Sequence, residues 1–342
     1  MKGITVIEAL AQYSVVLLIS AMAVYAMALV AFALDLARRA AATVATSTAE
    51  GTGRAAASQD VTVQAPAAAS TLVLVKTNSQ TEEVATAPPE RYRSLRIGFS
   101  LTLVAFVLQF AADILRGLAA GRVPWANMYE FSMTGTLVIV GVFLLVNLFA
   151  DLRFLGSFVI GLILILLGIS SMRYYVEAAP LPPALQSYWL VIHVMVAILA
   201  TGFFALGFAL SAVQLLQKRR EGLNRTTAIT SLRILATLPG TEKLENLAYR
   251  ITVVGFILWT FTLIAGSIWA ERAWGRYWGW DTKEVWTFII WVIYAAYIHA
   301  RATRGWRGSR SAWLAIMGFS AVMFNFGIVN VFFKGLHSYS GL

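Results

Sequence analysis

The sequence predicts an all-α integral membrane protein of about eight transmembrane helices, and three observations predict it. Of 342 residues, 59% are hydrophobic and 13% charged, whereas a soluble domain carries about a quarter charged residues. Apolar runs able to cross roughly 30 Å of hydrocarbon, which takes about 20 helical residues, recur along the chain. The basic residues behind the net charge of +10 concentrate on alternate connections between those runs. With a mean hydropathy of +0.71, the chain cannot hide its apolar surface inside one water-facing globule.

The runs lie near 14–36, 97–117, 131–150, 154–172, 188–217, 251–270, 285–300 and 312–333. The first follows one early Lys, exceeds a signal-peptide core and ends at Asp35 and Arg38–Arg39. It reads as a retained transmembrane helix within residues 1–39, with the mature chain starting near Met1. Residues 40–94 are rich in Ala, Thr, Ser and Pro, a composition that buries too little apolar surface to fold alone. They read as a flexible cytoplasmic linker to a seven-helix body spanning 95–342. Asp113 and Arg116, three apart on the second helix, are expected to pair.

One set of connections holds 19 Lys and Arg, including the linker, the 218–250 loop and Arg301 to Arg310, and the other set holds 8. The richer side is cytoplasmic, so both termini and the 173–187 and 271–284 loops are expected outside. The positive charge thus reports topology and does not point to nucleic acid.

Cysteine is absent, which excludes disulfides, thiolate metal sites, Cys nucleophiles and covalent haem attachment to this chain. Histidine occurs three times. Counting at 1.5 Å per residue places His193 about one turn beyond the outer edge of the fifth span, and His337 just beyond the eighth. His299 lies 15 residues past Glu284, roughly 22 Å down the seventh helix and just above the inner basic cluster. Between His193 and His337 comes the densest aromatic stretch, W-A-E-R-A-W-G-R-Y-W-G-W-D-T-K-E, residues 269–284. Trp274 and Trp278 would share a helical face, while Trp280 would point about 200° from Trp278. This favours a partly irregular platform over a simple amphipathic anchor. Gly275 and Gly279 would let backbone and flat ligands approach.

These parts suit a large planar metal complex. Two neutral imidazoles can take both axial positions of a haem iron while indoles stack on the porphyrin or meet its edge. Arg272, Arg276 and Lys283 are cations for the propionates. Zinc, or non-haem iron with Asp281 or Glu284 as an oxygen ligand, fits the ligand count but gives the tryptophans no work. A solvated interfacial His beside an aromatic belt is the plain alternative. An electron-transfer subunit of the cytochrome b type, or a transporter with His299 as a proton site, are the functional rivals. Glu130, Asn325 and Asn330 either line the site or bond neighbouring helices.

The run W-G-R-Y-W-G-W-D-T-K-E at 274–284, with Y-I-H-A-R at 297–301 and G-L-H-S-Y at 335–339, resembles the tryptophan-rich WWD signature of haem-handling proteins. P-W-A-N-M-Y-E at 124–130, W-L-V-I-H-V at 189–194 and N-F-G-I-V-N at 325–330 make it similar to the CcsA/ResC family of system II cytochrome c biogenesis, over about residues 95–342. Thr282 stands where that family more often has Pro. The resemblance implies that a complex with a ResB/CcsB-type partner moves haem b to the extracytoplasmic face of the plasma membrane. There the complex joins it to the Cys-x-x-Cys-His motif of apocytochrome c as a holocytochrome c synthase, with thiol-reducing proteins supplying reduced cysteines. It implies further that His193 and His337 are the external axial ligands and that Trp274, Gly275, Trp278, Trp280 and Asp281 hold the haem. His299 would serve an inner haem site whose second ligand comes from the partner.

Overall fold

The computed structural model describes residues 5–57, 93–178, 186–223, 233–303, 305–333 and 335–337, with side chains left aside for 42–57, 233 and 234. Eight helices in it are long and apolar enough to cross a membrane. They are α1 (Val6–Ala57), α2 (Arg93–Ala120), α3 (Met128–Val146), α4 (Gly156–Arg173), α5 (Tyr188–Glu221), α6 (Thr241–Trp274), α7 (Thr282–Ala302) and α8 (Ser309–Phe324). A π-helical turn, Asn325–Val329, and a last turn, Asn330–Phe332, extend α8.

Lipid tails are as apolar as leucine, so helices in a membrane associate through close packing and interhelical hydrogen bonds more than through water exclusion. The first pair shows how this sequence does it. Helix α1 buries Ser14, Leu18, Ala21, Tyr25, Ala28, Phe32 and Asp35, spaced alternately by four and three. Helix α2 answers with Leu95, Gly98, Thr102, Ala105, Gln109, Ala112, Arg116 and Ala119. Two such seams mesh as a heptad interface. Its small residues bring the backbones close, and Ser14 Oγ donates to the Ala112 carbonyl at 2.8 Å. At the other end of the seam the Phe32 ring fills notches over Gly98 and Gly156, where a Cβ would come within 3.0 and 2.6 Å of it. Helices α5 and α6 pair in the same way, with Phe204 over Gly255 and Thr252 against Gly207. The outward faces carry Val16, Ile19, Val30 and Ile257, each more than half exposed, as lipid contact requires.

Two expectations change. Helix α1 does not stop at Arg39: its apolar span is Val6–Ala41, and the helix runs on to Ala57. The sequence there is dominated by alanine, the strongest helix former. The rest of the expected linker, residues 58–92, lies outside the described residues. Nor does Arg116 pair with Asp113. Its Nε lies 3.0 Å from Glu130 Oε1 on α3, and its Nη2 donates to the Val176 carbonyl at 2.6 Å. Asp113 accepts from the Thr134 hydroxyl at 3.1 Å. A carboxylate from another helix outcompetes the local neighbour because Glu130 is fully buried, and Arg122 Nη1 also reaches it, at 2.6 Å.

The Arg116–Glu130–Arg122 cluster therefore ties α2, α3 and the 121–127 loop at the end of the bundle that also holds His193 and His337. At the opposite end Glu245 Oε1 accepts from the Gly308 amide at 2.9 Å and lies 2.9 Å from Arg301 Nε, joining α6, α7 and the start of α8. Truncating Glu130 would leave two guanidinium groups without their carboxylate. Glu130→Ala is expected to lower stability by about 3 kcal/mol or more, read from chemical unfolding of the detergent-solubilised protein.

Candidate functional site

At the Glu130 end, helices α3, α5, α6, α7 and α8 surround a cavity of about 240 Å³. His193, His337, Trp278, Lys283 and Glu284 border it, and so do Asn325 and Asn330 beside the π turn. Such turns insert one extra residue and recur at functional sites. Asn330 is held by its Nδ2 at 3.0 Å from the Met128 sulfur.

Both imidazoles are fixed by the same nitrogen. His193 projects from the second turn of α5, and its Nδ1 lies 3.0 Å from the Thr262 carbonyl on α6. A carbonyl only accepts, so Nδ1 carries the hydrogen and Nε2 of the neutral ring keeps its lone pair. His337 follows α8 in a short turn, with Nδ1 at 2.8 Å from Asp281 Oδ2. Its neutral ring likewise offers Nε2. A ring whose Nδ1–H is anchored to a carbonyl or carboxylate is the arrangement that orients histidines as metal ligands.

One indole meets both rings. Trp269, only 1% exposed, stacks on His193 with centroids 6.0 Å apart and planes 12° off parallel. It meets His337 edge-on at 5.5 Å and Trp274 at 4.7 Å. The two imidazole centroids are therefore within about 12 Å of each other. Glycines open the space. A Cβ on Gly266 would come within 2.7 Å of the His193 ring, and one on Gly335 would overlap the Asp281 carboxylate.

Asp281 organises the loop. As N-cap of α7 it accepts from the Lys283 amide at 3.3 Å, and Oδ1 takes the Leu336 amide at 3.1 Å. Glu284 completes the capping box, its Oε2 accepting from the Gly279 and Asp281 amides at 2.7 and 3.1 Å. The hydrogen bond from His337 holds the Asp281 carboxyl below its ordinary 3.8, outweighing the opposing effect of burial.

The remaining expected residues divide. Trp274 closes α6 and lies behind His337, ring centroids 4.8 Å apart. Gly275 sits at the helix end with φ +68°, a left-handed turn that glycine adopts without strain, with open space where a Cβ would be. Gly279 admits the Arg276 guanidinium, which fills the position a Cβ would take. Trp278 borders the cavity, and Trp280 meets it edge-on at 5.9 Å while remaining 74% exposed. Trp280 also has φ +60°, the one positive φ outside glycine among the described residues. His299 is not brought to this cluster. It lies exposed on α7, in line with Phe288 and Val292 on the outward face. Sequence reading missed Trp269, Thr262, Gly266 and Gly335. Trp269 opens the aromatic run and Gly335 opens the G-L-H-S-Y motif, but neither was given a role, and nothing in the sequence pointed to Thr262 or Gly266.

Residues 125–337 match the family described as cytochrome C assembly protein. The chain belongs to that family. The chain is similar to the cytochrome c biogenesis protein CcsA of Guillardia theta, 34% identical over 265 residues, which cover 72% of this chain and 86% of that protein. CcsA of Trieres chinensis is 32% identical over 272 residues, 72% of this chain and 87% of its own length. CcsA of Prochlorococcus marinus is 36% identical over 248 residues, 66% and 78% respectively. The family match begins at Trp125 and ends at His337, so it includes the whole cavity rim and leaves α1 and α2 outside.

Because the folded Asp281 pKa is depressed, its contribution to docking the C-terminal turn is present above the unfolded value of about 3.9 and lost as the pH falls through the folded one. Protection of the Leu336 amide, its exchange rate against that of a free peptide at the same pH, is expected to persist near neutrality and to be lost below about pH 4, where exchange becomes as fast as in the free peptide. Asp281→Ala should show the fast exchange already at pH 7.

Proposed function

We propose that this chain serves cytochrome c biogenesis by holding haem b between His193 and His337 at the extracytoplasmic face of the plasma membrane. With a ResB/CcsB-type partner it promotes thioether attachment to apocytochrome c. In this reading both termini are extracytoplasmic and the segment between α1 and α2 is cytoplasmic, as the bias of Lys and Arg indicates. Haem is the substrate and passes through. The chain acts as one part of a holocytochrome c synthase, and thiol-reducing proteins keep the acceptor cysteines reduced.

A single observation carries the reading: two imidazoles from distant parts of the chain share one cavity, each with Nδ1 committed and Nε2 available. That donor set suits iron, and the Trp278, Trp259 and Phe326 walls suit the faces and edge of a porphyrin. Bis-imidazole ligation favours a held, unreactive iron and leaves the porphyrin periphery for chemistry. Trp274 backs His337, and exposed Trp280 together with Trp278 forms the grip on the solvent side. The chain thereby holds vinyl groups where incoming thiols meet them, removing the entropic cost of that encounter. The substrate's own His then displaces one of the two ligands. His299, on the face of α7 that is exposed among the described residues, is assigned to an inner haem site completed by the partner.

The test is haem content and spectra of His193→Gly and His337→Gly variants purified with the partner. Each should lose most of its Soret absorbance and regain it with added imidazole, which replaces the missing ligand. Wild-type spectra in both variants would remove the axial assignment, and loss in His299→Gly alone would move the site inward.

A further inference from the structure

Two charged side chains on the cavity wall have no part in ligating iron or stacking on a ring. They are Lys283 and Glu284, neighbours in the first turn of α7. Glu284 is 8% exposed. Its Oε2 is committed to the Gly279 and Asp281 amides, whereas its Oε1 is buried with no hydrogen-bond partner among the described residues. A buried carboxylate oxygen left open is costly unless something that donates a hydrogen bond comes to it. The Lys283 ammonium has no hydrogen bond or ion pair among the described residues. Asp281, the carboxylate beside it in the chain, is occupied by His337 and Leu336. A cation near a helix N-terminus also opposes the dipole there. The other titratable groups on this wall are Tyr277, which is 63% exposed, and His193 and His337, whose roles are assigned above. At the start of α7 the cavity thus presents an open carboxylate oxygen and an open ammonium on neighbouring residues, beside the uncharged open groups Asn325 Oδ1 and Trp269 Nε1.

Resting on the haem reading above, we infer that Glu284 and Lys283 are the base and acid of thiol addition to a haem vinyl group. Glu284 Oε1 takes the proton from a reduced cysteine of the acceptor. The thiolate sulfur bonds to the inner vinyl carbon as the carbon–carbon π bond breaks. The Lys283 ammonium delivers a proton to the terminal carbon, making it a methyl group. Transfer of the proton from Glu284 to the Lys283 amine restores both groups. The net change is addition of S–H across C=C, with nothing oxidised or reduced. Asp281 is unsuited to the task because both its oxygens are engaged.

The test uses the purified complex with its partner, haem b under reducing conditions and a synthetic Cys-x-x-Cys-His peptide. Haem binding is read from the Soret band and product from the mass of the haem-linked peptide. Lys283→Arg keeps the positive charge but cannot give up a proton, and Glu284→Gln keeps a capping oxygen but presents no base. Both variants should retain the wild-type Soret band and form product about 100-fold more slowly at pH 7. The Glu284→Gln rate should climb about tenfold from pH 7 to pH 8, as the peptide thiol ionises in solution near 8.5, while Lys283→Arg stays slow. A wild-type rate in either variant overturns the assignment. So does loss of the Soret band in step with product, since the residue would then hold haem rather than move a proton. Absence of a Soret band in the wild-type complex would be a failure of the haem reading instead.

Discussion

The carboxylate of Asp281 is the point on which the site depends. One side chain caps α7, receives the Leu336 amide and fixes the His337 ring. Without it, His337 would hang on a short turn beyond the last helix, and its approach to His193 would rest on ring packing alone. The opposite half is more rigid: His193 is set within a helix, against Gly266 and beneath Trp269. The cavity therefore has one wall built into the bundle and one latched to it by a charged hydrogen bond. Under the proposed function such a design would let one ligand stay while the other is exchanged, as handing a porphyrin to another protein requires.

Helix packing makes that asymmetry affordable. The α1–α2 and α5–α6 pairs join through small residues and aromatic wedges over glycines, and away from the cavity, as at Phe32 over Gly98 and Phe204 over Gly255, those wedges involve no site residue. Charge is used sparingly and at the ends, in Glu130 with its two arginines and in Glu245 with Arg301. Between these anchors the cavity can keep unsatisfied polar atoms, such as Glu284 Oε1 and Asn325 Oδ1, without costing the bundle its stability.

The eight spans were legible in the sequence because length and hydropathy decide them. The first helix's continuation to Ala57 was not, because low hydrophobicity argues against burial while alanine content argues for helix, and composition weighs only the first. The heptad seam of α1 was hidden for a related reason: small Ser14, Ala21 and Ala28 alternate in it with Leu18, Tyr25 and Phe32, and a hydrophobic pattern does not distinguish that mixture from the lipid face. Pairing Asp113 with Arg116 followed a rule for isolated helices, which fails once a fully buried Glu130 arrives from α3. Of the site, the histidines and the tryptophan loop were readable by type and depth. Thr262 was invisible because it contributes a backbone carbonyl, which any residue could supply.

The separation of His299 from the other two histidines follows from the same geometry. Cavity-lining residues of α7 cluster in its first turns, at Lys283, Glu284 and Thr287, and the buried stripe below them runs through Ile290, Tyr294 and Tyr297. From Tyr297 to His299 is about 200° of helix rotation, which turns the imidazole from the bundle interior to its outside. A polar ring on an outward face of a membrane helix is expensive against lipid alone. The fold thus brings one histidine pair together within this chain and turns the third outward; under the proposed function the inner and outer sites would then differ in who supplies the second ligand. In that reading haem at the inner site would be released only in a complex, while haem at the outer site would answer to this chain and to the acceptor's own histidine.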